Sequence, residues 1–190
     1  MGKPQIPAIV RRQENAAGNT LCIGYSSPFF IDGVRLRIGS KVPFDSVIDH
    51  KTPFDAVNCN EKNLPCFKTL EALLEAGGKY NVQVGCFGAA ALQIITGLEY
   101  LRKESDLDIY LRHSGGREEL EGFFAKLISF EKQFGVIIDA EIEYQGQYGV
   151  KLKELFGPGK TVLGKGLYDV LLLDKAVFFE NHTITKQGLS

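Results

Sequence analysis

A pair of aspartates separated by one leucine, Asp106-Leu107-Asp108, places the tightest constraint on this chain. They stand in the run SDLDIYLR, where strand alternation turns Leu107 and Ile109 to one side and both carboxylates to the other. Side-by-side carboxylates repel and lose hydration when partly buried, so the pair asks for a cation. Mg²⁺ suits it, as a hard ion held by a few carboxylate oxygens and completed by water and substrate phosphates. The pair closes a longer stretch, Asn81 to Arg112, in which an apolar run ends at Gly88 and a short helical segment closes at Gly97. Val82, Val84 and Cys86 form one face of the first strand, Leu92 and Ile95 give the helix its inward contacts, and Gly97 suits a left-handed C′ position. A helix opened by a glycine turn offers backbone N–H groups to a phosphate. Alone, Asp-x-Asp reads more readily as a solvated strand face than as a site, and a single glycine before a helix says less. The two in this order, about twenty residues apart, favour a metal and phosphate site.

A run at Val136 to Tyr144, VIIDAEIEY, places Val136, Ile138, Ala140 and Ile142 on one face and Asp139, Glu141 and Glu143 on the other. A third carboxylate on a neighbouring strand would complete a two-metal site, although acidic outer faces are common on sheets. Between the two acidic strands, a long helix is predicted over residues 117–134. It buries Leu120, Phe123, Phe124, Leu127 and Phe134, carries Glu118 and Glu119 at its positive end, and stops at Gly135. Another helix is predicted from Phe67 to Ala76, ending at Gly77-Gly78.

Upstream, Gln5 to Gln13 reads as a strand. Two further strands at Thr20 to Tyr25 and Gly33 to Gly39 are set off by turn signals at Ser26 to Pro28 and Asp32-Gly33. In VRLRI, Val34, Leu36 and Ile38 alternate with Arg35 and Arg37, predicting a half-buried strand with a basic outer face. Lys41 to Lys62 lacks periodicity, which places a boundary near residue 60 between a small domain, 1–60, and a larger one, 61–190. The tail holds Val150 to Phe156, a glycine-rich turn, and YDVLLLD as a buried strand.

With Lys plus Arg at 22 and Asp plus Glu at 23, no basic field marks long nucleic acid as a partner. No apolar run approaches a membrane span, and Met1 to Asn19 lacks a signal-peptide core, so a cytoplasmic protein is expected. Cys22, Cys59, Cys66 and Cys86 form no C-x-x-C pair and read as reduced structural thiols. His50, His113 and His182 are scattered and read as surface residues.

Strand, glycine turn, helix and Asp-x-Asp strand is the layout of nucleotidyltransferases of the polymerase β type. More specifically, VGCFGAAALQIITGLEYLRKESDLDIYLR resembles the signature of malonate decarboxylase holo-acyl-carrier-protein synthases, the phosphoribosyl-dephospho-CoA transferases. The likeness extends through PAIVRRQ, IDAEIEY and VLGKGLYDVLLLD and covers most of the chain. It implies an α+β fold: a nucleotidyltransferase domain, with a mixed sheet flanked by helices, behind a small β-rich N-terminal domain. It also implies transfer of phosphoribosyl-dephospho-CoA from triphosphoribosyl-dephospho-CoA to a serine of the acyl-carrier-protein subunit of malonate decarboxylase, with release of pyrophosphate. By position, Asp106 and Asp108 match the family's metal aspartates and Asp139 its third acid. Arg11, Arg12 and Lys165 match recurring basic positions that would meet phosphates. Two departures stand out: the family's glycine-serine turn is Gly88-Ala89 here, and the chain starts late, at PAIVRRQ.

On this reading Asp106 and Asp108 bridge two Mg²⁺ ions about 3.5 to 4 Å apart, and Asp139 ligates the nucleophile-side ion and accepts the hydroxyl proton, with Glu141 in reserve. Backbone N–H groups of Gly88 and Ala89 hold the pyrophosphate end. The same aspartates would serve a nucleotidyltransferase acting on another small-molecule or protein hydroxyl. A non-catalytic nucleotide-binding relative is the other alternative, with Ala89 as its mark.

Overall fold

The computed structural model of the chain describes residues 6–13, 18–58 and 63–184 and is an α+β fold with two sheets. The first is antiparallel, with β1 (Ile9–Val10), β2 (Thr20–Ile31) and β3 (Val34–Pro43) in that order. The second runs in chain order through β4 (Val82–Cys86), β5 (Leu107–His113), β6 (Ile138–Tyr144), β7 (Tyr148–Lys151), β8 (Thr161–Gly166) and β9 (Val170–Asp174). Every neighbouring pair in it is antiparallel except β5 and β6. A parallel pair needs a crossover, and α3 (Arg117–Phe134) supplies it. The remaining helices are α1 (Pro65–Lys79), α2 (Gly88–Thr96), α4 (Leu152–Leu155) and α5 (Lys175–Ile184).

One continuous core joins α1 and α3 to the sheet. Phe67, Leu70 and Leu73 of α1 and Leu120, Phe123 and Leu127 of α3 pack in one cluster with Val84, Leu107, Ile109, Leu111, Ile138, Ala140 and Ile142. Because these strand residues alternate, Asp108, Tyr110, Asp139, Glu141 and Glu143 are left on the opposite, open face. The expected limits of α2 and α3 hold: both end at left-handed glycines, Gly97 (φ 69°) and Gly135 (φ 65°). Phe124 and Phe134 are only partly buried.

Several expectations are corrected. α1 runs through Gly77-Gly78 instead of stopping there, because Gly77 is a packing residue: a Cβ would collide with the backbone oxygen of Val82 and lie 3.0 Å from Val84 Cγ2. Ser26 to Pro28 is no turn but an irregularity within β2, where the register shifts between Ser26 and Phe30. The turn is at Asp32 (φ 50°) and Gly33 (φ 78°), the paired positive φ values of a type I′ hairpin. The first strand shrinks to Ile9–Val10, since Gln13 leaves the sheet and its N–H bonds Leu167 O at 2.8 Å. Gln5, Cys59 and the boundary near residue 60 lie outside the described residues. The glycine-rich tail forms β8, the residues after Asp174 form α5, and YDVLLLD is an edge strand with Leu172 68% exposed.

The first sheet is turned inside out relative to its sequence pattern. Val34 is 69% exposed, and Leu36 and Ile38 share its open face with Ile31 and Tyr25 opposite. The arginine side faces the linker between α2 and β5 instead. Arg35 Nη2 donates to Tyr100 O at 2.5 Å, and the Tyr100 hydroxyl donates to Ser26 O at 3.0 Å.

The adjacent glycines of α1 therefore have opposite roles. Gly77→Ala is expected to destabilise the protein by about 1 to 3 kcal/mol, the cost of overpacking. At Gly78 a Cβ meets nothing. Gly78→Ala should stabilise by about 0.4 to 1 kcal/mol through the unfolded chain. Denaturant melts of the two variants check the sign at each position.

Candidate active site

The open face of β5 and β6 is acidic at one end. In the parallel pairing Asp108 lies beside Asp139, and Tyr110 beside Glu141. Asp106 sits just ahead of β5 and is exposed, whereas Asp108 is half-buried within it. Burial first, then the charges of Asp139, Asp106 and Glu141, push the Asp108 carboxyl up to about 6, against the opposing charge of Lys151.

Asp108 also reaches the N-terminus of α2. Phe87 N–H donates to Asp108 O at 3.1 Å, tying the helix entry to β5. Gly88 opens the helix with φ 66°, and a Cβ there would meet Asp108 Cγ at 2.9 Å and its Oδ2 closer still. Only glycine satisfies both conditions. The N-cap residue is Phe87, which gives no side-chain cap, so the first N–H groups of α2 face the acidic end without one. Ala89, next in the helix, is half-buried and packs partly against the core.

Asp139 carries a partner that the sequence pattern did not reveal. Lys151 Nζ donates to both its oxygens, at 2.8 and 2.6 Å. Lys151 stands opposite Glu141 in the β6–β7 pairing, so it crosses diagonally to Asp139. Further along, Arg112 makes a two-pronged bond to Glu143, at 2.9 Å for each contact, and lies 4.7 Å over the Phe54 ring. Glu143 is thus held in an ion pair of its own.

The structure brings Asp106, Asp108, Asp139 and Gly88 together, with Glu141 beside them. The predicted basic residues do not join them. Arg11 lies over Gly24 and Gly39 of the first sheet, and Arg12 is exposed just beyond β1. Lys165 shares the open face of the larger sheet but aligns with Gly149 and through it with Glu143, away from Asp108. His113 is not the surface residue expected, since both its ring nitrogens are buried; His50 is exposed, and the His182 side chain lies outside the described residues. Cys22, Cys66 and Cys86 form no disulfide among the described residues. Burial and the charge of Asp106 raise Cys66 to about 11, and its thiol donates to Ser105 O at 3.1 Å.

Among the described residues no group of three or more His, Cys, Asp or Glu converges as a ready-made metal centre. The charge of the site nevertheless fits a divalent ion, for three further carboxylates, Asp139, Asp106 and Glu141, act on Asp108 with Lys151 as the opposing charge. An open oxygen site completed by water and phosphate is the type Mg²⁺ uses.

The Asp108 shift carries a stability consequence. Its folded pKa of about 6 exceeds the ordinary 3.8, so the folded protein holds a proton that the unfolded chain has lost between those values. Ionised Asp108 therefore costs stability above pH 6, and the cost fades as pH falls toward 3.8. In buffer free of divalent ions, Asp108→Asn should raise stability at pH 8 by about 1 to 3 kcal/mol. Melts from pH 8 downward should show that gain shrinking; a gain constant with pH would exclude this origin.

Residues 54–176 match the family model described as the phosphoribosyl-dephospho-CoA transferase MdcG C-terminal domain. A protein of Xanthomonas euvesicatoria pv. vesicatoria named phosphoribosyl-dephospho-CoA transferase is 32% identical over 175 residues, covering 92% of this chain and 81% of its own. Its counterpart of the same name in Xanthomonas axonopodis pv. citri is 29% identical over the same shares. A Bradyrhizobium diazoefficiens protein so named is 27% identical over 115 residues, 60% of this chain and 50% of its own. No solved structure matches the chain. With the family model spanning well over half its length, the chain belongs to the phosphoribosyl-dephospho-CoA transferase family of enzymes.

Proposed function

We propose that the protein is a nucleotidyltransferase that moves a phosphoribosyl-dephospho-CoA group from triphosphoribosyl-dephospho-CoA to a serine of the malonate decarboxylase acyl-carrier-protein subunit. The observation that carries this reading is the placement of the Asp108 carboxylate against Gly88 at the start of α2, with Asp139 beside it on the next strand. That joins phosphate-binding N–H groups to an acidic site within one segment. The larger sheet is read as a nucleotidyltransferase domain over 61–190, residues 1–60 as a small N-terminal domain, and the cytoplasm as the location. No helix among the described residues is long and apolar enough to cross a membrane.

In the reaction the serine oxygen bonds to the α-phosphorus, the bond to the β-bridging oxygen breaks, and pyrophosphate leaves with that electron pair. Asp106, Asp108 and Asp139 would hold Mg²⁺, which when bound neutralises phosphate charge and acidifies the hydroxyl. Asp139, or Glu141 beside it, accepts the hydroxyl proton. Lys151 fixes the orientation of Asp139 through its two contacts. The N–H groups of Gly88 and Ala89 receive the pyrophosphate end. One observation favours a non-catalytic nucleotide-binding relative, namely that Lys151 already takes both oxygens of Asp139.

Pyrophosphate release from the CoA-derived triphosphate and purified carrier subunit, with and without Mg²⁺, separates these readings. Asp108→Asn is expected to lose roughly 10² to 10³-fold in turnover. Asp139→Ala should lower kcat far more than it weakens triphosphate binding. Near-native turnover in either variant would remove that residue from the mechanism.

Ala89 gives a second test. A serine there would add a hydroxyl donor, and a hydrogen bond to a charged group contributes roughly 1.5 to 3 kcal/mol. Ala89→Ser is therefore expected to tighten triphosphate binding about ten- to a hundredfold with unchanged Mg²⁺ dependence. Titration of both proteins reads this directly, and equal affinities would show that the hydroxyl does not reach the phosphates.

A further inference from the structure

The inward face of the first sheet gathers cations without acids. Arg35 lies 4.7 Å over the Phe30 ring and 5.3 Å over that of Tyr100, and Arg102 stacks on Phe30 at 3.4 Å. Arg37 follows Arg35 on the same face of β3, and Arg11 extends that row across Gly39. Among the described residues no carboxylate pairs with Arg35, Arg37 or Arg102. Burial, with Arg37 and Arg102 nearby, depresses the pKa of Arg35, as crowded like charges should.

This arrangement runs against the hydrophobic effect. Burying the Val34, Leu36 and Ile38 face would remove apolar surface from water, yet that face is exposed, while on the opposite face Arg35 is half-buried and Arg37 stays open to solvent. Stacking leaves the in-plane N–H donors of Arg102, and those of Arg35 other than the Nη2 that bonds Tyr100 O, open to a planar or tetrahedral oxyanion, the geometry that makes arginine a phosphate ligand. The cluster is also fixed relative to the acidic site. Gln93 of α2 accepts N–H bonds from Tyr100 and Leu101 at 3.0 and 2.9 Å, and the turn after Arg102 closes through Ser105 immediately before Asp106.

The geometry points to a second anion site, in which Arg35, Arg37 and Arg102 around Phe30 and Tyr100 take a phosphate group of the nucleotide substrate. The anion site stands on the arginine geometry; only the identity of its ligand rests on the proposed transfer reaction. A half-buried Arg35 in the seam between sheet and linker admits a small oxyanion more readily than a flat acidic protein surface.

Inorganic pyrophosphate is the probe, titrated calorimetrically into the full chain in EDTA, where the acidic site repels it. Wild type should bind, Arg37→Gln/Arg102→Gln should bind at least tenfold more weakly, and Asp108→Asn should bind no worse than wild type. Arg37→Lys/Arg102→Lys, which keeps the charge, should recover part of the affinity, and melts of each variant confirm folding. No binding by wild type, undiminished binding by the folded glutamine variant, or loss on Asp108→Asn alone would overturn the site. Binding of the carrier subunit that is lost in the glutamine variant, with no pyrophosphate binding by wild type, would overturn it in favour of a protein surface. In the transfer assay the glutamine variant should raise KM for the triphosphate with a smaller effect on kcat. If wild type binds pyrophosphate through the arginines but never turns over, the transfer reading fails and the anion site stands.

Discussion

Everything at the acidic site depends on the parallel pairing of β5 with β6. Each strand buries three residues on one side, Leu107, Ile109 and Leu111 against Ile138, Ala140 and Ile142, and all of them are essentially inaccessible to water. A slip of one residue in either strand would drive acids into that core. The core thus holds Asp108 beside Asp139 against their mutual repulsion, and the hydrophobic face supplies the energy that the acidic face costs. Because the pair is parallel, the chain must travel the length of α3 between the two aspartates, so the site is closed only when the long helix has docked.

How much of this was legible in the sequence varied with the range of the interaction. α3, the left-handed glycines at 97 and 135, and the alternation of VIIDAEIEY follow from periods of a few residues, and the structure reproduces them. Gly77-Gly78 has the composition of a helix stop, but the reason for Gly77 is the Val82 carbonyl, which enters only when α1 folds onto β4. VRLRI reveals two faces and nothing about which one the rest of the molecule covers; Tyr100, 65 positions from Arg35, decides that. YDVLLLD announces a strand, while its place at the sheet edge depends on the absence of a further strand beyond β9 among the described residues. Lys151 was invisible for a related reason. It meets Asp139 diagonally across a strand pair, and no local spacing records a diagonal.

The first sheet also shows what local pattern cannot price. An antiparallel sheet with one apolar face ordinarily covers that face. Here the covered side is the basic one, and its contacts are a guanidinium on two rings, a tyrosine hydroxyl on a strand carbonyl, and the Gln13 N–H on Leu167. Few apolar residues secure the sheet, Ile23 being the large one fully enclosed. Its position therefore hangs on a few polar contacts, of which the charged one, the guanidinium over the rings, is screened by salt as a hydrophobic seam would not be.

The missing methyl at Gly88 reaches further than backbone freedom. Because the Asp108 carboxylate fills the space a side chain would take, a negative charge already stands at the mouth of the α2 N-terminus. A bare triphosphate approaching those N–H groups would meet like charge before it met a donor. If the nucleotide uses that helix end, it has to arrive already escorted by a cation, or after one, so the order in which ligands enter is written into the contact between one glycine and one acid.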